Sequence, residues 1–207
     1  NILTEDRRLP VMGESNFLAD KIAAEHQVAQ FKKENPAAAV AVFRTAPIVG
    51  PTIENFVTHY LKHRFVPTLL GYDPLVQLLH EEDVVSAFRL ALERRVDGIY
   101  NIVGRGVLPL VTALALMGRV CVPLPYRAAV AALRVLWLVQ AVNVPPGFLD
   151  FLRYLWVADG TKAARELGWT ARRHIHEIVA SVSGIQTPLA VSSESGAGQV
   201  AGGLENV

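Results

Sequence analysis

Cysteine is almost missing from this chain of 207 residues, where Cys121 stands alone. One thiol closes no internal disulfide, so nothing points to an oxidising compartment, and a cytoplasmic setting is expected. An excess of one charge is missing too: 20 Lys and Arg face 19 Asp and Glu, and no basic run exceeds two residues. That balance leaves no footprint for nucleic acid, and none is expected as a partner. Nor is there a charge-free run of membrane-spanning length. The apolar stretch 107–149 is divided by Arg119, Arg127 and Arg134, and its longest uncharged piece, Val135 to Leu149, has 15 residues and includes Pro145-Pro146. A spanning helix needs about 20, so the stretch reads as buried helices. Membrane association is not expected, and a membrane-surface or hydrophobic-substrate role is the lesser alternative. Metal-ligand spacing is also wanting. His59 and His63 lie four apart, but Tyr60 stands where a zinc-protease helix needs Glu, so no metal is expected.

What is present is apolar and ordered in pattern. Hydrophobic residues make up 51% of the chain and its net charge is +1, which excludes disorder throughout. Apolar residues at helical spacing predict a helix from Phe17 to Phe31, capped by Ser15 or Asn16 and ended by Asn35-Pro36. The run Ala37 to Thr45 predicts a strand buried on both faces, as in a parallel sheet. Ile53, Phe56, Val57, Tyr60 and Leu61 give a second helix, and 66–80 reads as two short strands around Gly71-Tyr72-Asp73-Pro74. Asp83 is placed to cap a third helix, with a strand at Ile99 to Val103 behind it. Helices are expected at about 109–118, 126–142, 147–155, 160–167 and 173–184, and a Ser/Gly/Ala-rich disordered tail at 185–207. The fold class is therefore α/β. Residues 1–103 read as the distal part of a Rossmann-like parallel sheet with interleaved substrate-side segments, and 104–184 as a small, mainly helical lobe.

Six segments in order carry a resemblance. They are Lys21-Ile22-Ala23-Ala24-Glu25 on a helix, Val42 to Pro51, Val76 to Val84, Gly98 to Gly104, Asp159 before a helix, and Glu166-Leu167-Gly168-Trp169. Together they resemble the C-terminal half of the extended short-chain dehydrogenase/reductases, the NAD-dependent epimerase/dehydratase family. The glycine-rich turn that holds a dinucleotide pyrophosphate at a helix N-terminus is not among them. Gly104-Arg105-Gly106 lacks the third small residue at the right offset, and the pattern Gly196 to Ala201 follows no strand. The resemblance thus leads one to expect that the N-terminal dinucleotide-binding half is absent, and that Asn1, standing where Met would, marks a truncation.

The resemblance implies NAD or NADP as cofactor and a small-molecule substrate, a sugar nucleotide, steroid or similar, whose hydroxyl or carbonyl carbon exchanges hydride with the nicotinamide. A homodimer is allowed for. In that family a Tyr-x-x-x-Lys pair shares one helix face; the tyrosine is the acid/base and the ammonium lowers its pKa and contacts the ribose. Lys21 matches the lysine, and Phe17 stands at the tyrosine position. A phenyl ring has no proton to give. Either catalysis is lost and only binding is kept, or another hydroxyl, such as Ser15, serves. By the same resemblance Ala46, Pro47, Ile48 and Val49 pack beside the nicotinamide, although Thr45 replaces the usual proline. Asn55, Gln77 and His80 lie where the family reaches its substrate. Asp83 and Asp159 read as helix caps, and Trp169 as a core aromatic.

Overall fold

The computed structural model describes residues 2–7, 19–141, 148–154 and 157–183. Phe17, Ser15 and the expected tail lie outside them. The first helix, α1 (Ala19–Glu34), carries Asp20 in its first turn and Lys32 and Lys33 in its last, which suits the helix dipole. Asn35 ends it, its side chain donating to the Phe31 carbonyl at 3.1 Å. Strand β1 (Ala41–Thr45) follows. It pairs in parallel with β6 (Gly98–Ile102), with Ala41 opposite Gly98 and Thr45 opposite Ile102. Both faces of β1 were expected to be buried; instead its residues are half-buried at best. Among the described residues β6 is its only strand partner, so one edge and part of one face stay open.

The next elements are short. β2 (Ile48–Val49) pairs in parallel with β5 (Leu79–His80), and α2 (Phe56–Lys62) lies between them in sequence. β3 (Phe65–Leu69) and β4 (Leu75–Val76) flank the Gly71 turn as anticipated, but they do not pair with each other. β4 takes β7 (Leu108–Pro109) antiparallel, and β3 takes β8 (Val120–Leu124) in parallel. β8 went unread in the sequence. Its Val-Cys-Val run between Gly118 and Pro125 is a strand signal, weakened by Pro123, which only an edge strand tolerates. α3 (Glu81–Arg94) leads to β6. Later come α4 (Leu110–Leu116), α5 (Tyr126–Leu138), α6 (Phe148–Phe151) and α7 (Ile175–Ser183). The helix expected at 160–167 is a π turn, Ala163–Leu167, closed by Gly168 in the left-handed region at φ +65°.

Two apolar cores organise these elements. One gathers Leu79, Ala87, Ile102, Ala163, Leu167 and Trp169 around the β1–β6 pair. The other gathers Val49, Val66, Leu114, Phe148, Ile175 and Ile178. The chain crosses between them repeatedly: residues 163–171 return to the first core after α4 to α6 have built the second. The architecture is α/β, with parallel strand pairs and helices, as the order of apolar segments indicated.

At the amino end of the sheet, Lys32 binds the Asp97 carboxylate at 2.7 Å, and the other Asp97 oxygen accepts from Val40 N–H at 3.1 Å. The lysine first, and then that N–H, hold the Asp97 carboxyl below its ordinary pKa. A lowered folded-state pKa contributes stability that is complete above the unfolded value and lost as pH falls through the folded one. Asp97→Asn is thus expected to flatten the acid limb of a stability–pH curve below about pH 4. The effect is small, because the pair is exposed, and smaller still in high salt. Urea midpoints of parent and variant across that range check it.

Candidate functional site

The carboxyl ends of β1, β2 and β5 meet around one loop. After Thr45 the β1–β6 ladder runs on for one more bond, Ala46 N–H to the Ile102 carbonyl at 3.1 Å. On the other side Leu79 N–H donates to the Pro47 carbonyl at 3.0 Å. Ala46 to Val49 is therefore clamped between β6 and β5, with Ala46 and Val49 buried and Pro47 and Ile48 half-buried. Open α/β sheets take ligands at such carboxyl ends.

The loop beyond is held by side chains. Asn55 Nδ2 donates to the Ile48 carbonyl at 2.8 Å, while its Oδ1 accepts from Thr58 N–H at 2.9 Å and so caps α2. Glu81 accepts from both the N–H and the hydroxyl of Thr52, at 3.3 and 2.5 Å. Gly50 lies against that carboxylate: a Cβ there would stand 2.4 Å from Glu81 Cδ. The cap of α3 is not Asp83 but His80, whose Nδ1 accepts from Glu82 N–H at 3.2 Å. Asp83 is a turn further in and buried, and its carboxylate accepts the N–H groups of Arg172 and Arg173. The cap went to His80 because the helix starts three residues earlier than read, which turns Asp83 inward.

Gln77 is buried and stapled at both ends. Its Nε2 donates to the Gly104 carbonyl at 2.9 Å and its Oε1 accepts from Ala158 N–H at 3.1 Å. The amide thus faces residues 104 and 158, away from the 46–55 loop. Asp159 caps as anticipated, accepting from the N–H and hydroxyl of Thr161. Trp169 is a core aromatic, its indole N–H on Ser86 Oγ at 2.8 Å.

Lys21 is exposed, and two contacts fix its place along the strand. Lys32 lies beside Asp97 and Val40, at the start of β1. Seven residues earlier in α1, Glu25 pairs with Arg44, near the end of β1. Helix and strand therefore run antiparallel, about 10 Å of helix against about 13 Å of strand. One further turn towards the N-terminus, about 6 Å, brings Lys21 level with Ala46-Pro47. Ala46 to Val49, Asn55 and His80 thus lie together at the carboxyl ends, α1 runs towards them through Lys21, and Gln77 turns elsewhere. Sequence reasoning missed Glu81, set down as helix-start charge, and a cluster at the surface beside the second core, against which Tyr126 packs. There the Arg153 guanidinium lies over the rings of Tyr126, Tyr154 and Tyr72, at 4.4, 5.3 and 5.4 Å from their centroids. The three tyrosines lie too far apart in sequence for spacing to show it.

No family model matches the chain. Over 175 residues it is 30% identical to uncharacterized proteins of Mycobacterium tuberculosis and Mycobacterium bovis, covering 81% of this chain and 45% of each relative. The chain thus spans about half the length of the curated relatives it matches. Among solved structures, UDP-glucuronic acid 4-epimerase from Bacillus cereus, in complex with UDP-glucuronic acid and NAD, superposes with TM-score 0.65 at 14% identity, over 89% of this chain and 56% of that one. The dTDP-glucose 4,6-dehydratase of Bacillus anthracis, in complex with NAD, gives 0.62 at 17%, over 89% and 55%. UDP-glucose-4-epimerase from Stenotrophomonas maltophila, with bound NAD and formylated UDP-arabinopyranose, gives 0.64 at 18%, over 89% and 57%. The fold is the one these NAD-bound epimerases and dehydratase carry over a little more than half their length.

Proposed function

We propose that this chain supplies the substrate side of an NAD(P)-dependent epimerase, dehydratase or reductase acting on a hydroxyl or carbonyl carbon of a sugar nucleotide or similar small molecule. The observation that carries the reading is the clamped Ala46–Val49 backbone at the carboxyl ends of the strands; the Glu25–Arg44 pair, which sets α1 antiparallel to β1, supports Lys21 pointing the same way along the sheet. The donor set suits the nicotinamide-ribose end of a dinucleotide: an exposed ammonium at Lys21 and an apolar turn at 46–49 whose half-buried Pro47 and Ile48 offer surface. A bound nicotinamide would supply hydride exchange. Lys21 would donate to a ribose hydroxyl, and the 46–49 turn would exclude water from one side of the ring. Asn55 and Glu81 would keep that turn in place by fixing the loop behind it. The pyrophosphate has no glycine-rich strand-to-helix turn in this sequence, so its holder lies elsewhere in the working protein.

A second reading, binding without turnover, is favoured by Phe17. In support, a Tyr-to-Phe variant of the Bacillus cereus epimerase was crystallised with UDP-4-deoxy-4-fluoro-glucuronic acid and NAD. Phe17→Tyr separates the two. If the parent binds NAD and a UDP-sugar without turnover, restoring the hydroxyl is expected to raise the rate of nicotinamide absorbance change by about 10²–10⁴-fold, the range of a positioned acid/base. Turnover in the parent, unchanged by Phe17→Tyr, would assign the acid/base role to another group and remove the binding-only reading. Calorimetry on the working protein, with its pyrophosphate holder present, that finds neither NAD nor UDP-sugar bound would overturn both.

A further inference from the structure

The apolar stretch 107–149 was expected to be buried, and α5 departs from this. Its inner face does pack: Ala129 is buried and Tyr126, Val130 and Leu133 lean on the second core. Then the helix runs past the core. Val135, Leu136, Trp137, Leu138 and Val139 are 60, 41, 45, 82 and 64% exposed, five consecutive apolar residues covering every side of the last turns. Ala128, Ala131 and Ala132 extend the exposed apolar surface towards the N-terminus. The only charges on the helix are Arg127 and Arg134, both exposed and seven residues apart, hence on one flank. The surrounding sequence carries the same sign: between Asp97 and Asp150 lie 52 residues with no acid and four arginines, Arg105, Arg119, Arg127 and Arg134. The near-neutral net charge of the chain conceals this segregation.

We propose that the exposed end of α5 docks on an anionic phospholipid surface. A stripe of apolar residues would suit a groove in another protein, but an end that is apolar all round, with a tryptophan and a basic flank, suits the headgroup boundary of a bilayer. Length decides against spanning: 13 residues make about 20 Å of helix against a hydrocarbon core of about 30 Å. The helix lies in the plane of the membrane, with Val135, Leu138 and Val139 in the acyl boundary and Arg127 and Arg134 on the flank, reaching up to the phosphates. A second copy of this chain is the poorer occupant. Pairing α5 with itself brings arginine flank to arginine flank, and the helix has no carboxylate to neutralise either one.

Vesicle flotation of the intact chain tests the proposal, with vesicles of phosphatidylcholine alone and of phosphatidylcholine mixed with phosphatidylglycerol. Binding is expected to the mixed vesicles and to weaken steeply with salt. Arg127→Gln with Arg134→Gln is expected to lower the partition coefficient by about ten- to thirtyfold. Trp137→Ser with Leu138→Ser is expected to abolish binding. All four side chains are exposed, so unchanged thermal melts separate loss of docking from loss of fold. Absence of binding to the mixed vesicles, or binding that neither pair of substitutions weakens, overturns the proposal. So does a dimer in sedimentation that Leu138→Ser dissociates, because it gives this face to a second copy.

Discussion

Gly104→Ala is expected to destabilise the fold by more than about 4 kcal/mol, at the extreme of what single substitutions do. A Cβ at this position would stand 1.7 Å from the Leu78 carbonyl oxygen and 2.8 Å from its carbon. Both are backbone atoms in a segment that cannot retreat, since Gln77 beside it is tied to Gly104 and Ala158 and Leu79 beyond it is tied to Pro47. Relief would require breaking the packing of the strand against the 104 turn. Gly71→Ala makes the control. There the obstacle is only a positive φ of +83°, with no atom within 4 Å of the new Cβ, and the expected cost is about 1 kcal/mol. Urea titrations of the two variants should separate them clearly. A Gly104→Ala protein within about 1 kcal/mol of the parent would show that the two segments can part without loss.

The second large effect is expected at Asp83. Its carboxylate is 2% exposed and receives two backbone N–H groups, from Arg172 at 3.0 Å and Arg173 at 3.2 Å. Its own carbonyl holds the Ser86 hydroxyl, which in turn receives the Trp169 indole N–H. Asp83→Ala leaves both loop donors without an acceptor and is expected to cost about 3–5 kcal/mol, as removing one partner of a buried charged network does. Asp83→Asn keeps one acceptor oxygen and should recover about half of that. Glu82 next to it pairs with Arg173 in the open, so Glu82→Gln should leave the melting temperature nearly unchanged. Equal losses at positions 82 and 83 would contradict this division between buried and exposed carboxylates.

Much of this was legible in residue order, and the failures have physical causes. Helices with strong apolar spacing, such as α3 and α7, were found with boundaries close to those observed, because spacing alone reports a buried face. The strands around Gly71 were found too, but their partners were not: β3 joins β8 across the whole of α3, β6 and α4, and no local pattern encodes such a pairing. β8 itself was hidden by Pro123. Near the site, the order of α1, β1 and the 46–49 turn was readable, whereas the antiparallel run of α1 against β1 came only from the Lys32–Asp97 and Glu25–Arg44 pairs. The orientations of Gln77 and His80 were not. Each reads as a polar residue near a ligand, yet each satisfies backbone groups whose lack of partners appears only once the chain is folded.

The parallel pairing of β1 with β6 bears on how the protein comes to be folded at all. Val40 and Asp97, which meet at the mouth of that pair, are 57 residues apart in the chain, and the Asn101 side chain reaches back 98 residues to Leu3. Closures of this length forfeit loop entropy before any contact repays it, and among the described residues none of the strand pairs is a tight hairpin that could form first. Refolding should therefore be slow for a chain of this size, on the order of milliseconds to seconds. Throughout that interval one edge of β1 has no strand beside it among the described residues, so the yield of native protein is expected to fall with concentration sooner than its equilibrium stability would suggest.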